Sequence, residues 1–204
     1  MSDGPRMPLA RATAAAEYLI GRWQLVGAHV VGSVRRQRPE VGDLELIVPA
    51  RPAVDDPECA AIAATMQSDA PVNLFAPPPA ADPIGRALRG LKPGFLACAL
   101  VVRLKDGYEL PVQLYRYTPD NLGWMMLMRT GPADFGKWFL SRWKQAYRIA
   151  PDAQASVNGH LVMAGGEVVP VRTEGEAFSL CRTNPIAPER RDEFISRVQA
   201  RSGA

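Results

Sequence analysis

The sequence has few of the residues that build disulfide frameworks or zinc centres. Its 204 residues include three cysteines and two histidines. The cysteines, Cys59, Cys98 and Cys181, are odd in number, lie far apart and form no CxxC pair. This pattern argues against a disulfide framework and against a thiolate zinc site. The two histidines, His29 and His160, are too few to build a zinc site on their own.

Long hydrophobic runs and a strong charge of one sign are absent as well. Charged residues make up 22% of the chain and the net charge is +3, which is too small by itself to indicate a nucleic-acid binder. The longest wholly apolar run, 95–102, is far shorter than a bilayer span. The N-terminus has no apolar stretch behind a basic start, so we expect no secretory signal. We therefore expect a cytoplasmic protein with no membrane partner, and we also expect it to be a monomer.

Hydrophobic periodicity predicts a chain of the α/β (α+β) class. In the first half the predicted elements are a helix over 8–25, strands over 29–31 and 43–48, a helix over 58–67, a loop over 76–83 and a hairpin over 95–104 and 108–118. In the second half they are a strand over 124–128, a helix over 133–147, strands over 161–164 and 168–171, and a helix over 189–200.

The segment 31–48, VGSVRRQRPEVGDLELIV, has the strongest functional pattern. Gly32 and Ser33 at the start of a helical turn would present backbone N–H groups and a hydroxyl to an anion, and Arg35 and Arg36 would add positive charge. These residue types at this spacing predict a phosphate-binding turn. The alternative is an ordinary glycine turn followed by a solvated arginine pair.

Two acidic residues follow on the next predicted strand. Asp43 and Glu45 are separated by one residue, so the strand pleat places both carboxylates on one face. Paired carboxylates are suitable ligands for a divalent cation. Phosphate-binding and metal-binding groups would then lie together. The alternative is an edge strand with two exposed acids.

The motif at 32–45, Gly-Ser-x-Arg-Arg followed by Gly-Asp-x-Glu, resembles the signature of the nucleotidyltransferase superfamily and specifically of family X DNA polymerases. Residues 127–139 resemble that family's Thr-Gly segment at the palm–thumb junction. Residues 165–178 resemble its Pro-Val hairpin, and 183–191 resemble its terminal Pro-x-x-Arg stretch. Order and spacing match over nearly the whole chain.

This resemblance implies a nucleotidyltransferase palm with a mixed sheet over 1–117 and a small α+β thumb over 118–204, as in the minimal viral polymerase X. It implies that the partners are a nucleoside triphosphate and DNA, either primer/template or gapped, and that the cofactor is Mg²⁺ or Mn²⁺. The implied nucleotide-binding residues are Gly32, Ser33, Arg36, Gly42 and Arg6. The implied metal ligands are Asp43 and Glu45, and Gln113 is the third residue of the implied catalytic set.

Two of these catalytic positions depart from the family pattern. Glu45 stands where the family has Asp, and Gln113 stands where it has a third carboxylate. The Gln113 amide can ligate a cation through its oxygen, but it is neutral and cannot accept a proton from a primer hydroxyl. Glu109 lies on the same strand, but four residues away it is too distant to replace a carboxylate at Gln113. Where the family has an aromatic pair that meets the nucleotide, this chain has Met128 and Arg129.

The helix over 133–147 provides a candidate DNA contact. At 100° per residue, Lys137, Lys144 and Arg148 lie on one stripe, opposite an apolar face. Beside a polymerase-like palm, this stripe predicts contact with DNA phosphates. The alternative is a solvated amphipathic helix.

The sequence therefore predicts a polymerase X-like nucleotidyltransferase that adds nucleotides to a DNA 3′-hydroxyl. The alternative function is a catalytically impaired or inactive protein of this fold that binds nucleic acid or nucleotide. A nucleotidyltransferase that modifies RNA, protein or a small molecule is disfavoured by the polymerase-like thumb.

Overall fold

The computed structural model of the protein describes residues 6–23, 25–50 and 96–202. The strands are β1 Met7–Pro8, β2 His29–Val30, β3 Glu40–Val41, β4 Leu44–Pro49, β5 Leu96–Arg103, β6 Glu109–Tyr117, β7 Ser156–Val157, β8 His160–Val162 and β9 Val168–Val169. The α-helices are α1 Leu9–Arg22, α2 Gly32–Arg35, α3 Leu122–Thr130, α4 Ala133–Ala146, α5 Glu174–Leu180 and α6 Arg191–Ser202, and Pro188–Arg190 forms a 3₁₀ turn before α6. None of the helices in these ranges is both long and apolar enough to cross a membrane. The predicted helix over 58–67 and loop over 76–83 lie outside the described residues.

The central sheet has the strand order β2-β4-β6-β5. The β4–β6 pair is parallel, whereas β2–β4 and β5–β6 are antiparallel. The predicted mixed sheet is thus confirmed, as is the β5–β6 hairpin around Asp106-Gly107. In the parallel pair, Glu45 lies directly beside Gln113. This register brings two of the predicted site residues together.

The helix α1 covers one face of this sheet with small side chains. Ala12, Ala15, Ala16 and Leu19 are completely buried, as the helical spacing predicts. They belong to the same core cluster as Leu44, Leu46, Val112 and Leu114 of the sheet. Because this face of β4 is filled by α1, the alternate residues of β4 face the other side of the sheet.

A second core lies within the C-terminal segment and is rich in aromatic residues. It contains Trp124, Phe135, Phe139, Trp143 and Phe178. The rings of Phe139 and Phe178 meet edge to face with their centroids 5.4 Å apart. The predicted burial of one side of α4 is confirmed. The division into domains at 117/118 stays a prediction.

The predicted strand over 124–128 is wrong, because this segment belongs to the helix α3. The expectation of a core position is met, since Trp124 and Leu127 are both buried. A short continuous apolar run has no polar residues to show a period, so a buried helix and a buried strand look the same in sequence.

The helix α5 falls in the segment that the resemblance assigns to a hairpin. The first part of that segment contains β9, which pairs antiparallel with the preceding strand β8. After it, Thr173 begins a helix with a capping box, in which its side chain accepts from the Glu176 N–H and the Glu176 carboxylate accepts from the Thr173 N–H. The Thr-x-x-Glu spacing is the sequence signal for this helix start.

The close packing of α3 on the start of α5 generates the first prediction. A Cβ added at Gly123 would lie 2.1 Å from the carbonyl carbon of Thr173. Because backbone cannot move aside as a side chain can, we expect Gly123→Ala to lower the free energy of unfolding by about 2 kcal/mol or more. Urea unfolding followed by circular dichroism measures this change.

The matched control is Gly21→Ala, the same change near the end of α1. A Cβ at Gly21 would meet no atom within 4 Å. There alanine gains helix propensity, and we expect a stabilisation of about 0.5 kcal/mol. Equal effects at the two positions would contradict the proposed contact between α3 and Thr173.

Candidate active site

The two acidic residues of the motif lie at the start of β4. Asp43 immediately precedes the strand, and Glu45 is its second residue. Leu44 and Leu46 are fully buried in the core beneath α1. The alternation of the strand therefore places the carboxyl groups of Asp43 and Glu45 together on the opposite face.

The Gly-Ser turn packs directly against Glu45. Gly32 has a φ of +64°, in the left-handed region, and a Cβ there would lie 2.1 Å from Oε2 of Glu45. The backbone N–H of Val31 donates to the Glu45 carbonyl oxygen at 2.9 Å. The structure thus brings the turn containing Gly32 and Ser33 beside the acidic pair. Gly42 makes no such close contact, because a Cβ at this position would meet no atom within 4 Å.

Gln113 lies on β6 in register with Glu45. The hydroxyl of Tyr115, two residues further along the same strand face, donates a hydrogen bond to Oε1 of Gln113. The amide oxygen of Gln113 has two lone pairs, and the hydrogen bond from Tyr115 uses one of them. One lone pair remains for a further interaction. The side chain beside Glu45 on β6 is thus neutral, and a hydrogen bond from Tyr115 sets its orientation.

Burial and mutual repulsion disfavour charge on the acidic pair. Burial, and then the charge of Asp43, raise the pKa of Glu45 to about 7, although Arg129 and Arg36 oppose this rise. Burial also raises the pKa of Asp43, and Arg36 and Arg6 oppose that shift. Three arginines from separate parts of the chain therefore act on two carboxyl groups.

Arg36, which the resemblance places at the triphosphate, is joined to the C-terminal segment. Its Nη1 donates to the Thr130 carbonyl oxygen at 2.6 Å, and its Nε donates to Asp192 at 3.0 Å. The Asp192 contact is an ion pair with a largely buried guanidinium. Arg36 thus links the Gly-Ser turn to α3 and α6.

Arg35 takes part in a second link between the same regions. Its Nη1 donates to the Thr130 hydroxyl at 2.7 Å, and its Nη2 donates to Oε2 of Glu174. The other oxygen of Glu174 accepts from Arg191 at 2.8 Å, and the Arg191 side chain is only 1% exposed. One carboxylate thus holds two guanidinium groups from α2 and α6.

The network sets the protonation state of Glu174. Burial alone would raise the pKa of this carboxyl group, but the hydrogen bond from Arg35 and the charge of Arg191 outweigh burial. Together they hold that pKa below its ordinary value of 4.5. Glu174 is therefore ionised at neutral pH and neutralises part of the arginine charge behind the Gly-Ser turn.

The predicted basic stripe is present only in part. Lys137 is exposed but forms an ion pair with Asp134 at 2.9 Å. Lys144 donates to the Pro151 carbonyl oxygen at 2.5 Å. Arg148 lies beyond the end of α4 with a φ of +52°, so its place on the helical stripe is wrong. Its side chain is nevertheless exposed at the end of the same helix.

Sequence reasoning did not identify Tyr115, Arg129, Glu174 and Asp192 as parts of this region. Each comes from a different element, and only the tertiary fold brings them to the Gly-Ser turn. The one local signal was at Arg129, which replaces an aromatic residue of the family pattern.

The donor set of the site fits one hard divalent cation better than two. Mg²⁺ in nucleotide sites is commonly held by one or two carboxylates together with substrate phosphates. Asp43 and Glu45 meet that requirement, since Asp43 raises the pKa of Glu45 and a bound cation would relieve this repulsion. Within the described ranges, no third His, Cys, Asp or Glu joins these two as a possible metal ligand.

No protein-family model matches the chain, and no curated protein matches it in sequence. Two solved structures of Leishmania infantum polymerase beta are similar to it in three dimensions. A ternary P/T complex matches with a TM-score of 0.60 and 16% identity, covering 93% of this chain and 77% of that chain. A ternary gap complex matches with a TM-score of 0.58 and 16% identity, covering 93% and 71%. The chain has the polymerase beta fold.

This likeness confirms the predicted fold class and agrees with the resemblance to family X polymerases at the level of the fold. At 16% identity it shows the fold alone. The neighbours are Leishmania polymerases and not viral ones, so the resemblance to the minimal viral polymerase stays a prediction.

The shared carboxylate of Glu174 generates the second prediction. Glu174→Gln leaves the buried Arg191 without an ionised partner, and we expect it to lower the free energy of unfolding by about 2 to 4 kcal/mol. The control is Glu193→Gln, which removes an exposed i,i+4 ion pair with Arg197 on α6. There we expect a change of about 0.5 kcal/mol or less. Urea titration at pH 7 compares the two variants.

The same group generates a prediction about pH. Because the folded state lowers the pKa of Glu174 below 4.5, the stabilisation is complete above the unfolded value. It is lost as the pH falls through the folded value. The difference in unfolding free energy between the wild type and Glu174→Gln should therefore be constant near neutrality and shrink below pH 4.5. A difference that grows on acidification would contradict the ion-pair network.

Proposed function

We propose that the protein is a metal-dependent nucleotidyltransferase that binds a nucleoside triphosphate and DNA and adds nucleotides to a DNA 3′-hydroxyl. The observation that supports this most strongly is the juxtaposition of the Gly32 turn with the Asp43–Glu45 pair in a polymerase beta fold. Phosphate groups and carboxylate-bound cations are needed at one point for phosphoryl transfer.

In this proposal the Gly-Ser turn holds the triphosphate. The backbone at Gly32 and the hydroxyl of Ser33 contact phosphate oxygens, and Gly42 is a further proposed nucleotide-binding residue. Arg36 contributes positive charge toward the triphosphate. Its hydrogen bonds to Thr130 and Asp192 fix the position of its side chain. Arg6 lies one residue before β1, which pairs with β3, and its charge reaches Asp43.

Asp43 and Glu45 would hold Mg²⁺ or Mn²⁺ between the carboxylates and the triphosphate. The cation would neutralise charge that develops on the phosphates during transfer. Gln113 would complete the site as a neutral oxygen ligand beside Glu45. Because an amide cannot accept the proton of the attacking hydroxyl, we expect slow transfer.

DNA is the proposed macromolecular partner. The two Leishmania structures are ternary P/T and gap complexes, which supports a nucleic-acid partner for a chain of the same fold. In this chain Lys137, Lys144 and Arg148 are the proposed phosphate contacts. We also propose that the protein acts as a monomer in the cytoplasm.

The second candidate function is a nucleotide- or DNA-binding protein without turnover. The neutral Gln113, whose oxygen already accepts from Tyr115, favours it. This candidate keeps the same ligands and loses only the chemical step, so activity measurements on repaired variants distinguish the two functions.

The third prediction tests transfer directly by primer extension on gapped DNA with Mg²⁺ and with Mn²⁺. We expect slow extension by the wild type and none by Asp43→Asn. Gln113→Asp should raise the rate about tenfold or more, equivalent to about 1.4 kcal/mol of barrier, and pairing it with Glu45→Asp should add to this. The control is Gln145→Asp, the same change on the exposed side of α4.

Two outcomes would contradict the enzyme proposal or its strand alignment. If no variant extends a primer while all still bind DNA and triphosphate, the binding-protein function is correct. If the wild type extends rapidly and Gln113→Asp slows it, Gln113 is not at the third ligand position.

The fourth prediction concerns the DNA contacts. Replacing Lys137, Lys144 and Arg148 by Gln should weaken DNA binding and reduce the slope of log K against log salt by about 2 to 3. Binding of the wild type should depend little on DNA sequence. The control replaces Arg103 and Lys105, two exposed cations at the β5–β6 turn, and should leave the slope nearly unchanged. A triple variant with the wild-type slope would exclude α4 as the DNA contact.

A further inference from the structure

Arg129 is held at the site by an aromatic ring. Its guanidinium carbon lies 3.8 Å from the ring centroid of Tyr115, within the range of a strong cation–π contact. Tyr115 is only 7% exposed, so the ring is a fixed platform. The guanidinium therefore has a defined position, although it lies at the end of a long side chain.

That position is next to the acidic pair. Tyr115 shares its strand face with Gln113 and donates a hydrogen bond to it, and Gln113 lies beside Glu45 in the parallel register. Burial, Glu45 and Asp43 raise the pKa of Tyr115, whereas Arg129 acts to lower the pKa values of both Tyr115 and Glu45. These groups thus form one electrostatic unit.

Arg129 differs from the neighbouring arginines in its partners. Arg35 forms an ion pair with Glu174, and Arg36 forms one with Asp192. Among the residues that the structure describes, Arg129 has neither a hydrogen bond nor an ion pair at contact distance. Within the described residues, the positive charge of Arg129, which acts to lower the pKa of Glu45, is therefore not balanced by an ion-pair partner.

We infer that Arg129 is the resident counter-ion of Glu45 within the Asp43–Glu45 pair and that a divalent cation binds to this pair in competition with its charge. The inference rests on the proposed function, in which these two acids are the metal ligands. Two close carboxylates repel each other, and a neighbouring cation relieves the repulsion. The Arg129 guanidinium, held on the Tyr115 ring, relieves this repulsion permanently. A metal ion that binds therefore gains less free energy from relieving it.

The charge of Arg129 thus regulates the affinity of the metal site from within the fold. Removing the charge should leave the acids more strongly in need of a cation and should tighten metal binding. Keeping the charge but removing the flat guanidinium should have a smaller effect.

The first experiment is titration of Mn²⁺ without nucleotide or DNA, followed by electron paramagnetic resonance of the free ion. Arg129→Met, which keeps an unbranched side chain, should bind Mn²⁺ about fivefold or more tightly than the wild type. Arg129→Lys should stay near the wild-type affinity. Adding Asp43→Asn to Arg129→Met should abolish the tight binding and thereby locate it at the acidic pair.

The control for general charge is Arg142→Met, an arginine on the exposed side of α4. It should not change the Mn²⁺ affinity. Equal affinities of the wild type and Arg129→Met would overturn the inference, as would an equal gain in Arg142→Met or absence of Mn²⁺ binding in Arg129→Met.

A second experiment tests the counter-ion role without metal. In a chelator, Arg129→Met should lower the urea midpoint in the wild-type background but not in the Glu45→Gln background. Equal losses in both backgrounds would mean that Arg129 acts through packing on Tyr115 and would overturn the inference.

These readouts are independent of transfer activity. If primer extension fails in every variant while Arg129→Met still tightens Mn²⁺ binding, the proposed enzyme function fails and the counter-ion role stands. If extension succeeds while the Mn²⁺ affinity ignores Arg129, the counter-ion role alone fails.

Discussion

The carboxylate of Glu174 is the interaction on which the arrangement of the site depends. It holds Arg35 from the Gly-Ser turn and Arg191 from α6, while Arg36 is held by Asp192, the residue after Arg191. Both arginines of the turn are therefore fixed by the C-terminal helices. The Gly-Ser turn also packs on Glu45. The geometry of the acidic pair therefore depends on contacts with Glu174, about 130 residues after Glu45 in the chain.

The first half of the fold was largely predictable from sequence because its patterns are periodic. The small residues of α1 repeat at helical spacing, and Asp106-Gly107 marks the β5–β6 turn between alternating strands. The segment 124–128 was not predictable in this way, since an uninterrupted apolar run carries no period. The start of α5 did have a sequence signal, the capping box from Thr173 to Glu176. The resemblance of 165–178 to a hairpin was given more weight than this signal.

The site was predictable where it is local in sequence and not where it is assembled by the fold. Asp43 and Glu45 share a face because a strand alternates, and that needs only their spacing. Arg36 has the right residue type, but its partners Thr130 and Asp192 are distant in sequence. The contact of Arg129 with Tyr115 joins a helix to a strand, and no pattern within either segment indicates it.

The contact between Gly32 and Glu45 makes these two positions interdependent during sequence change. A side chain at position 32 meets two separate obstacles, the Glu45 carboxyl group at 2.1 Å and a backbone conformation with a φ of +64°. Shortening Glu45 to Asp would withdraw the carboxyl group but leave the backbone strain. Glu45 can thus be replaced by Asp while Gly32 is kept. Gly32 cannot be replaced while Glu45 is still present. The order in which the two positions can diverge is therefore set by the geometry of one turn.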